Sequence, residues 1–119
     1  MSEIIIECVP NISEGRNLEI INSIVDSARV IDGVSVLGCE PDSDYNRTVI
    51  TIAGDPTSVT KGAYAIILKS LELIDMREHN GNHPRMGAVD VCPFVPLSEN
   101  SMGHCINSAK ELSRLIGDL

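Results

Sequence analysis

The chain has 119 residues, a length typical of one domain with a single modest core. Its formal net charge of −8 disfavours phosphate backbones and anionic membranes, so we expect neither nucleic acid nor membrane as a partner. The four cysteines form no Cys-x-x-Cys pair, and the sequence contains neither a signal-peptide pattern nor a membrane-spanning apolar run. We therefore expect one cytoplasmic domain, residues 1–119, with reduced thiols.

The first half of the chain predicts a strand, a helix and a hairpin. Residues 4–9 are β-branched and apolar, which predicts a strand that turns Ile6 inward and Glu7 to the opposite face. Asn17 is the predicted N-cap of a helix that ends near residue 29 or 30. Residues 34–39 and 47–53 predict an antiparallel hairpin around an acidic turn. That turn lacks the ligands of a calcium loop, and we assign no metal to it.

The second helix has the clearest start signal, with Asp55 as N-cap and Pro56 at the first helical position. Helical spacing predicts that it runs to about Met76. Its predicted core stripe consists of Val59, Ala63, Ile66, Ile67, Leu71 and Ile74.

Residues 88–95 predict a fourth strand, at a sheet edge because Pro93 and Pro96 cannot donate to a ladder. Alternation places Val89, Val91 and Val95 on one face and Asp90, Cys92 and Phe94 on the other. A third helix follows, capped at Ser98 or Asn100, with His104 exposed. Its predicted stripe consists of Met102, Cys105, Ile106, Ala109, Leu112 and Ile116.

This element order predicts an α+β fold: a ferredoxin-like βαββαβ sandwich plus an extra C-terminal helix. The helices would cover one face of an antiparallel four-stranded sheet. Glu7, Thr51 and Asp90 would share the uncovered face, which we expect to bind a ligand, a partner subunit or another domain.

Residues 79–96 contain two of the three histidines, an arginine, an aspartate and three prolines within eighteen residues. Pro84 restricts His83 to extended backbone, and a histidine titrating near neutral pH suits a proton shuttle. Arg85 carries a planar fork that can bind a carboxylate or phosphate. The alternative from residue chemistry is a surface turn in which Arg85 pairs with one of the many acids.

Three blocks give the sequence a resemblance to a known family. They are ECVPNISEG at residues 7–15, NRTV at residues 46–49 and HxGxHPRMGAxDVCPFxP at residues 79–96. The blocks resemble those of the N-terminal subdomain of glutamate formimidoyltransferase, the formiminotransferase part of formimidoyltransferase-cyclodeaminase. They occur in the same order and extend over nearly the whole chain.

The resemblance implies transfer of a formimino group from N-formimino-L-glutamate to tetrahydrofolate, the co-substrate, in histidine catabolism and one-carbon metabolism. The family's catalytic histidine corresponds to His83, the expected general acid/base. Arg85 or Arg47 could hold a glutamate carboxylate, and Asp90 could orient an imidazole. The expected substrate-binding residues are Arg85, Arg47, Asn46, Asn11, Glu14, Asp90 and His79.

Two departures from the family pattern affect the tuning of the site and leave His83 itself unchanged. Asn82 stands where relatives often have an acid, and Tyr45 stands where they often have histidine. The larger departure is length, because the family's transferase domain has two subdomains with the substrate tunnel between them. We therefore expect this chain to form one half of the active unit, completed by a homodimer or by a separate second-subdomain chain. The alternative is a non-catalytic module for ligand binding or oligomerisation.

Overall fold

The structure, a computed structural model, describes residues 4–74 and 89–118. Within these ranges it is an α+β fold with six strands and three α-helices. The strands are β1 (Ile6–Cys8), β2 (Asn11–Ile12), β3 (Val34–Asp42), β4 (Arg47–Gly54), β5 (Val89–Val91) and β6 (Phe94–Pro96). The helices are α1 (Leu18–Arg29), α2 (Pro56–Leu73) and α3 (Met102–Gly117), the last preceded by a 3-10 turn at Glu99–Ser101. None of these helices is long and apolar enough to cross a bilayer.

Helix α1 begins and ends where the sequence predicts. Oδ1 of Asn17 accepts hydrogen bonds of 3.1 and 3.3 Å from the N–H groups of Glu19 and Ile20, as expected of an N-cap. Its apolar residues at helical spacing are buried: Ile21, Ile24, Val25 and Ala28.

Helix α2 starts as predicted, with the Asp55 carboxylate accepting a 3.1 Å hydrogen bond from the N–H of Ser58. It ends at Leu73, and the predicted end at Met76 lies outside the described residues. The prediction for Leu71 is wrong, because its side chain is 48% exposed. The buried face of α2 includes Gly62 instead of Leu71. A Cβ added at Gly62 would lie only 3.0 Å from Cδ1 of Ile52, which shows how closely the helix approaches the sheet there. The other predicted core positions are buried: Val59, Ala63, Ile66, Ile67 and Ile74.

The sheet is antiparallel and is built around β4. On one side β4 pairs with β3, as the predicted hairpin, and on the other side it pairs with both β1 and β2. Strand β1 then pairs with β6, and β2 with β5. The first predicted strand, residues 4–9, corresponds to β1, and the short strand β2 lies beyond it, after Pro10. The fourth predicted strand is divided in two at Pro93. Bonds at the breaks run from Val9 N–H to the Pro93 carbonyl and from Ile50 N–H to the Pro10 carbonyl.

One hydrophobic core joins the sheet to all three helices. Five buried strand residues contribute to it, namely Ile6, Cys8, Ile12, Ile50 and Ile52, together with buried side chains of α1, α2 and α3. Alternate strand residues such as Glu7 and Thr51 point to the other face and are only partly buried, as predicted.

The predicted facing of the fourth strand is wrong in part. Val89, Cys92 and Phe94 all pack against the core, although simple alternation places Val89 opposite the other two. The break between β5 and β6 at Pro93 interrupts the period of two, so the two short strands follow separate registers.

The predicted stripe of α3 is also wrong in part. Cys105 and Leu112 are buried, whereas Met102, Ile106 and Ile116 are 40–53% exposed. The helix packs on β6 and α2 through a narrower arc that includes Ser108, whose hydroxyl lies 3.5 Å from the Pro56 carbonyl. His104 is exposed, as predicted.

Candidate functional site

The predicted site residues that the structure describes gather at one end of the sheet, which we call the polar corner. Its members are the predicted residues Asn11, Glu14, Asn46 and Arg47, together with Gly15, which was not predicted. Asn11 lies in β2 between Val49 of β4 and Val91 of β5. The backbone of Asp90, in β5, therefore runs directly beside Asn11. The sheet brings together residues that are far apart in the sequence.

Gly15 forms the tightest contact of the polar corner. Its N–H donates a 2.9 Å hydrogen bond to Oδ1 of Asn46. A Cβ at Gly15 would lie 2.3 Å from the Asp42 carbonyl oxygen and 2.4 Å from the Arg47 nitrogen. Asn46 has a positive φ of 51°, a conformation that asparagine tolerates better than most residues. The loop after β2 and the β3–β4 turn are therefore packed backbone against backbone.

Glu14 organises the same loop through hydrogen bonds. Its Oε2 accepts bonds of 3.1 and 3.0 Å from the N–H groups of Arg16 and Asn17. Its carbonyl accepts a 2.5 Å bond from the hydroxyl of Thr48, which is fully buried. Nε of Arg16 reaches across to the Ser43 carbonyl at 2.9 Å. The Glu14 carboxylate is thus partly engaged by its own loop.

Arg47 is the exposed cation of the polar corner. Its guanidinium carbon lies 5.8 Å from the centroid of the Tyr45 ring, which is within the range of a cation–π contact. It takes part in none of the ion pairs found within residues 4–74 and 89–118. An exposed guanidinium held against a ring is well suited to binding a carboxylate through two parallel hydrogen bonds.

The acidic β3–β4 turn uses a carboxylate to shape its own backbone. Oδ1 of Asp42 accepts bonds of 3.0 and 3.3 Å from the N–H groups of Asp44 and Tyr45. These residues are exposed, as predicted for a solvated turn. In the described part of the chain, no group of three or more His, Cys, Asp or Glu side chains could hold a metal ion.

Four predicted site residues lie wholly or partly outside the described part of the chain. His79, His83 and Arg85 lie outside the described residues, and for Asp90 only the backbone is described. Sequence reasoning also missed the roles of Gly15 and Thr48 in fixing the polar corner. Both residues belong to the blocks that carry the family resemblance, and this was the available signal.

Three surface depressions lie away from the polar corner. The first, of about 650 Å³, runs between α2 and α3 and includes Tyr64 and His104. The second, of about 620 Å³, is at the opposite end of the sheet near Leu37 and Asp55. The third, of about 520 Å³, lies between α1 and α2. None of the three is lined by a predicted site residue.

The family model for the formiminotransferase domain, N-terminal subdomain, matches residues 5–119. The chain belongs to this family. The resemblance inferred from the three sequence blocks is thereby confirmed. The match to the formiminotransferase N-terminal subdomain extends over the polar corner and over His79, His83 and Arg85.

Curated relatives agree with the formiminotransferase assignment. Glutamate formimidoyltransferase of Streptococcus pyogenes serotype M1 is 42% identical over 112 residues, which cover 94% of this chain and 38% of the relative. Glutamate formimidoyltransferase of Thermoplasma acidophilum is 43% identical over 114 residues, 96% of this chain and 38% of the relative. Formimidoyltransferase-cyclodeaminase of Dictyostelium discoideum is 45% identical over 114 residues, 96% of this chain and 21% of the relative. The chain thus spans about a fifth to two fifths of the length of these relatives.

Proposed function

We propose that this chain supplies the proton-transfer half of a glutamate formimidoyltransferase site. The proposed substrates are N-formimino-L-glutamate and a reduced folate, tetrahydrofolate, as the family resemblance implies. The observation that carries the proposal is the family match over residues 5–119, which includes both the polar corner and the His79–Pro96 block.

His83 is the general acid/base in this proposal. N5 of tetrahydrofolate attacks the formimino carbon, and a tetrahedral intermediate forms. His83 accepts the proton from N5 and delivers it to the glutamate nitrogen as the carbon–nitrogen bond breaks. The products are formimino-tetrahydrofolate and glutamate, and His83 returns to its initial state. General acid–base assistance of this kind contributes about 10²–10⁴-fold to the rate.

The polar corner supplies substrate binding in this proposal. The exposed Arg47 guanidinium, supported by the Tyr45 ring at 5.8 Å, is suited to one glutamate carboxylate. Arg85 is the second candidate for a carboxylate, and His79 adds a polar group from the same sequence block. Asp90, on the strand beside Asn11, would orient an imidazole.

Three other polar-corner residues have smaller proposed roles. Asn11 and Asn46 offer amide groups to the substrate at the end of the sheet. Nδ2 of Asn11 already donates a 3.0 Å bond to the Val9 carbonyl, which fixes the orientation of its side chain. Glu14 lines the site while its Oε2 holds the backbone of its own loop.

We further propose that residues 1–119 form a single ferredoxin-like domain in the cytoplasm. Support for this fold comes from the strand order, if β1 with β2 and β5 with β6 are counted as two interrupted strands. The sheet face away from the helices carries the half-buried Glu7 and Thr51, and Leu37 nearby is 59% exposed. Such partly apolar surface favours cover by another protein surface. The proposed cover is a second subdomain, from a separate chain or from a homodimer partner.

A formimino-transfer assay tests this proposal in two formats. The first uses the purified chain alone. The second uses a hybrid in which residues 5–119 replace the matching segment of the Thermoplasma acidophilum relative. Each is compared with His83→Ala and with His104→Ala, a control for loss of an exposed histidine on α3.

The outcomes separate the candidate functions. Transfer by the hybrid that falls about 10²–10⁴-fold in His83→Ala, but not in His104→Ala, supports the proposal. Formimino transfer by the purified chain alone would further indicate that a second copy of the chain completes the site. A folded hybrid without activity would contradict the catalytic proposal and favour a non-catalytic ligand-binding or oligomerisation module.

A further inference from the structure

Two cysteines meet beside the two breaks in the sheet, the one between β1 and β2 and the one between β5 and β6. Sγ of Cys8, at the end of β1, lies 3.4 Å from Sγ of Cys92, which follows β5. Cys8 is fully buried, whereas Cys92 is only partly buried. Cys92 is therefore the member of the pair more open to a small solute.

The backbone around the pair is held in place. Cys8 is directly opposite Phe94 in the β1–β6 ladder, and Val9 N–H donates a 3.0 Å bond to the Pro93 carbonyl. The two sulfurs must approach by about 1.4 Å to reach the bonding distance of about 2.0 Å. Cys92 itself lies between β5 and β6, outside both ladders, so it is the member of the pair whose position is less constrained.

The two thiols differ in their chemistry. The hydrogen bond between them lowers the pKa of Cys92. The same bond, together with burial, raises the pKa of Cys8. Because Cys92 is also the less buried of the two, it is the member suited to react first, with Cys8 as its resolving partner.

We propose that Cys8 and Cys92 form a site of reversible oxidative modification, in which a hydroperoxide converts the pair to an intramolecular disulfide. The Cys92 thiolate attacks one peroxide oxygen, giving a sulfenic acid and hydroxide. The Cys8 sulfur then attacks the Cys92 sulfur and displaces the hydroxyl group, while the Cys8 proton leaves with it as water. Two thiols and one hydrogen peroxide thus give one disulfide and two water molecules.

The other cysteines make this proposal specific. Cys39 is partly buried on β3, and Cys105 is buried on α3. No sulfur–sulfur hydrogen bond joins either of them to another cysteine, and the described residues include all four cysteines. Cys105 shares the core cluster with Cys8, so it is the competing partner that an experiment must distinguish.

Peptide mapping of the full chain tests the proposal. The chain is treated with hydrogen peroxide, the remaining free cysteines are blocked by alkylation, and the protein is cleaved after glutamate. Glu14, Glu78 and Glu99 separate the four cysteines onto different peptides. We expect the peptide Cys8–Glu14 to be crosslinked to the peptide His79–Glu99 and released by dithiothreitol.

Variants provide the controls. Cys92→Ser should lose the crosslink entirely, whereas Cys39→Ser should retain it. Because Cys8 is buried, Cys8→Ala serves as its variant, and the mapping of the unsubstituted chain does not depend on that variant folding. A Cys8–Cys105 link, dimers joined through Cys39, or a Cys92 sulfinic acid beside an unmodified Cys8 would overturn the proposal. This test reads the bond itself and is independent of the proposed transferase activity.

Discussion

The N–H of Gly15 and Oδ1 of Asn46 are joined by a 2.9 Å hydrogen bond between positions 31 residues apart in the sequence. This bond fixes the loop after β2 to the β3–β4 turn, and with them Glu14 and Arg47. The geometry of the polar corner therefore depends on two residues that need not touch a substrate.

Replacing Gly15 with alanine should destabilise the protein. The new Cβ would lie 2.3 Å from the Asp42 carbonyl oxygen, so the two backbones would have to separate. We expect the free energy of unfolding to fall by about 1–3 kcal/mol, as for other overpacked sites. The matched control is Gly103→Ala, because a Cβ at this α3 position meets nothing within 4 Å. Urea denaturation should show that Gly103→Ala is neutral or stabilising, and equal effects of the two would refute this account.

Asn46 contributes through both its side chain and its backbone. Asn46→Gly keeps the positive φ and loses the bond from Gly15, with an expected cost of about 1 kcal/mol. Asn46→Ala also loses the tolerance for positive φ and should cost about 1–2 kcal/mol more. Thermal unfolding of the two variants measures the difference. An alanine variant as stable as the glycine variant would show that the backbone conformation is not constrained.

Asp55 should make stability depend on pH through the N-cap of α2. Its hydrogen bonds with Ser58 hold its pKa below the usual range of an aspartate. A lowered native pKa adds stability above the unfolded value of about 3.9, and that stability is lost as pH falls through the native pKa. Asp55→Asn keeps a capping oxygen without a titrating group, whereas Asp55→Ala should cost about 1 kcal/mol at pH 7.

Urea denaturation at pH 7 and at pH 3 separates these contributions of Asp55. The advantage of the parent chain over Asp55→Asn should shrink at the lower pH. An advantage that is constant or larger at pH 3 would contradict the assigned cause.

Ser70 should be a site of stabilisation. Its Oγ is buried and has no hydrogen-bond partner within the described part of the chain. Ser70→Ala removes this unpaired group in the middle of α2, and we expect a gain of about 1 kcal/mol. In Ser27→Ala the same change removes a 2.5 Å bond to the Ile24 carbonyl in α1, so it should not give that gain. Calorimetric Tm values that fall for Ser70→Ala would indicate a partner for this hydroxyl.

Arg47→Ala should weaken substrate binding with little effect on folding, because the side chain is exposed. In the hybrid transferase we expect KM for N-formimino-L-glutamate to rise about tenfold or more, the usual effect of losing a charged hydrogen bond. The KM of Arg47→Lys should lie between those of the parent and Arg47→Ala, since lysine cannot bind a carboxylate bidentately. Arg114→Ala, which breaks an exposed pair with Glu111 on α3, is the control. An unchanged KM in Arg47→Ala would exclude Arg47 as the carboxylate ligand.

Elements with strong local signals were predictable from the sequence. Asn17 and Asp55 are good N-caps wherever they occur before an apolar stripe, and both helices start there. Helix α3 shows where such patterns stop being sufficient. Its apolar residues are too many for one arc, and packing against β6 and α2 decides that Cys105 is buried while Ile106 is exposed.

The polar corner was only partly predictable for a similar reason. Residue chemistry within the family blocks indicated Asn11, Glu14, Asn46 and Arg47 as candidates, but it could not indicate which of these residues bond to one another. The bonds of Gly15 and Thr48 link segments more than 30 residues apart, so they follow from the paired strands rather than from local spacing. The proton-transfer role of His83 remains a prediction from the sequence.

The two broken strands lie side by side, with Pro10 in one and Pro93 in the other, while β4 continues unbroken beside them. This alignment forms a crease across the sheet, with β1 and β6 on one side of it and β2 and β5 on the other. A crease allows the two parts to differ in twist, since few ladder bonds cross it. Both parts are anchored in the same core, through Ile12 on one side of the crease and Ile6 on the other. Strand β4 is therefore the continuous element that connects the polar corner to the rest of the sheet.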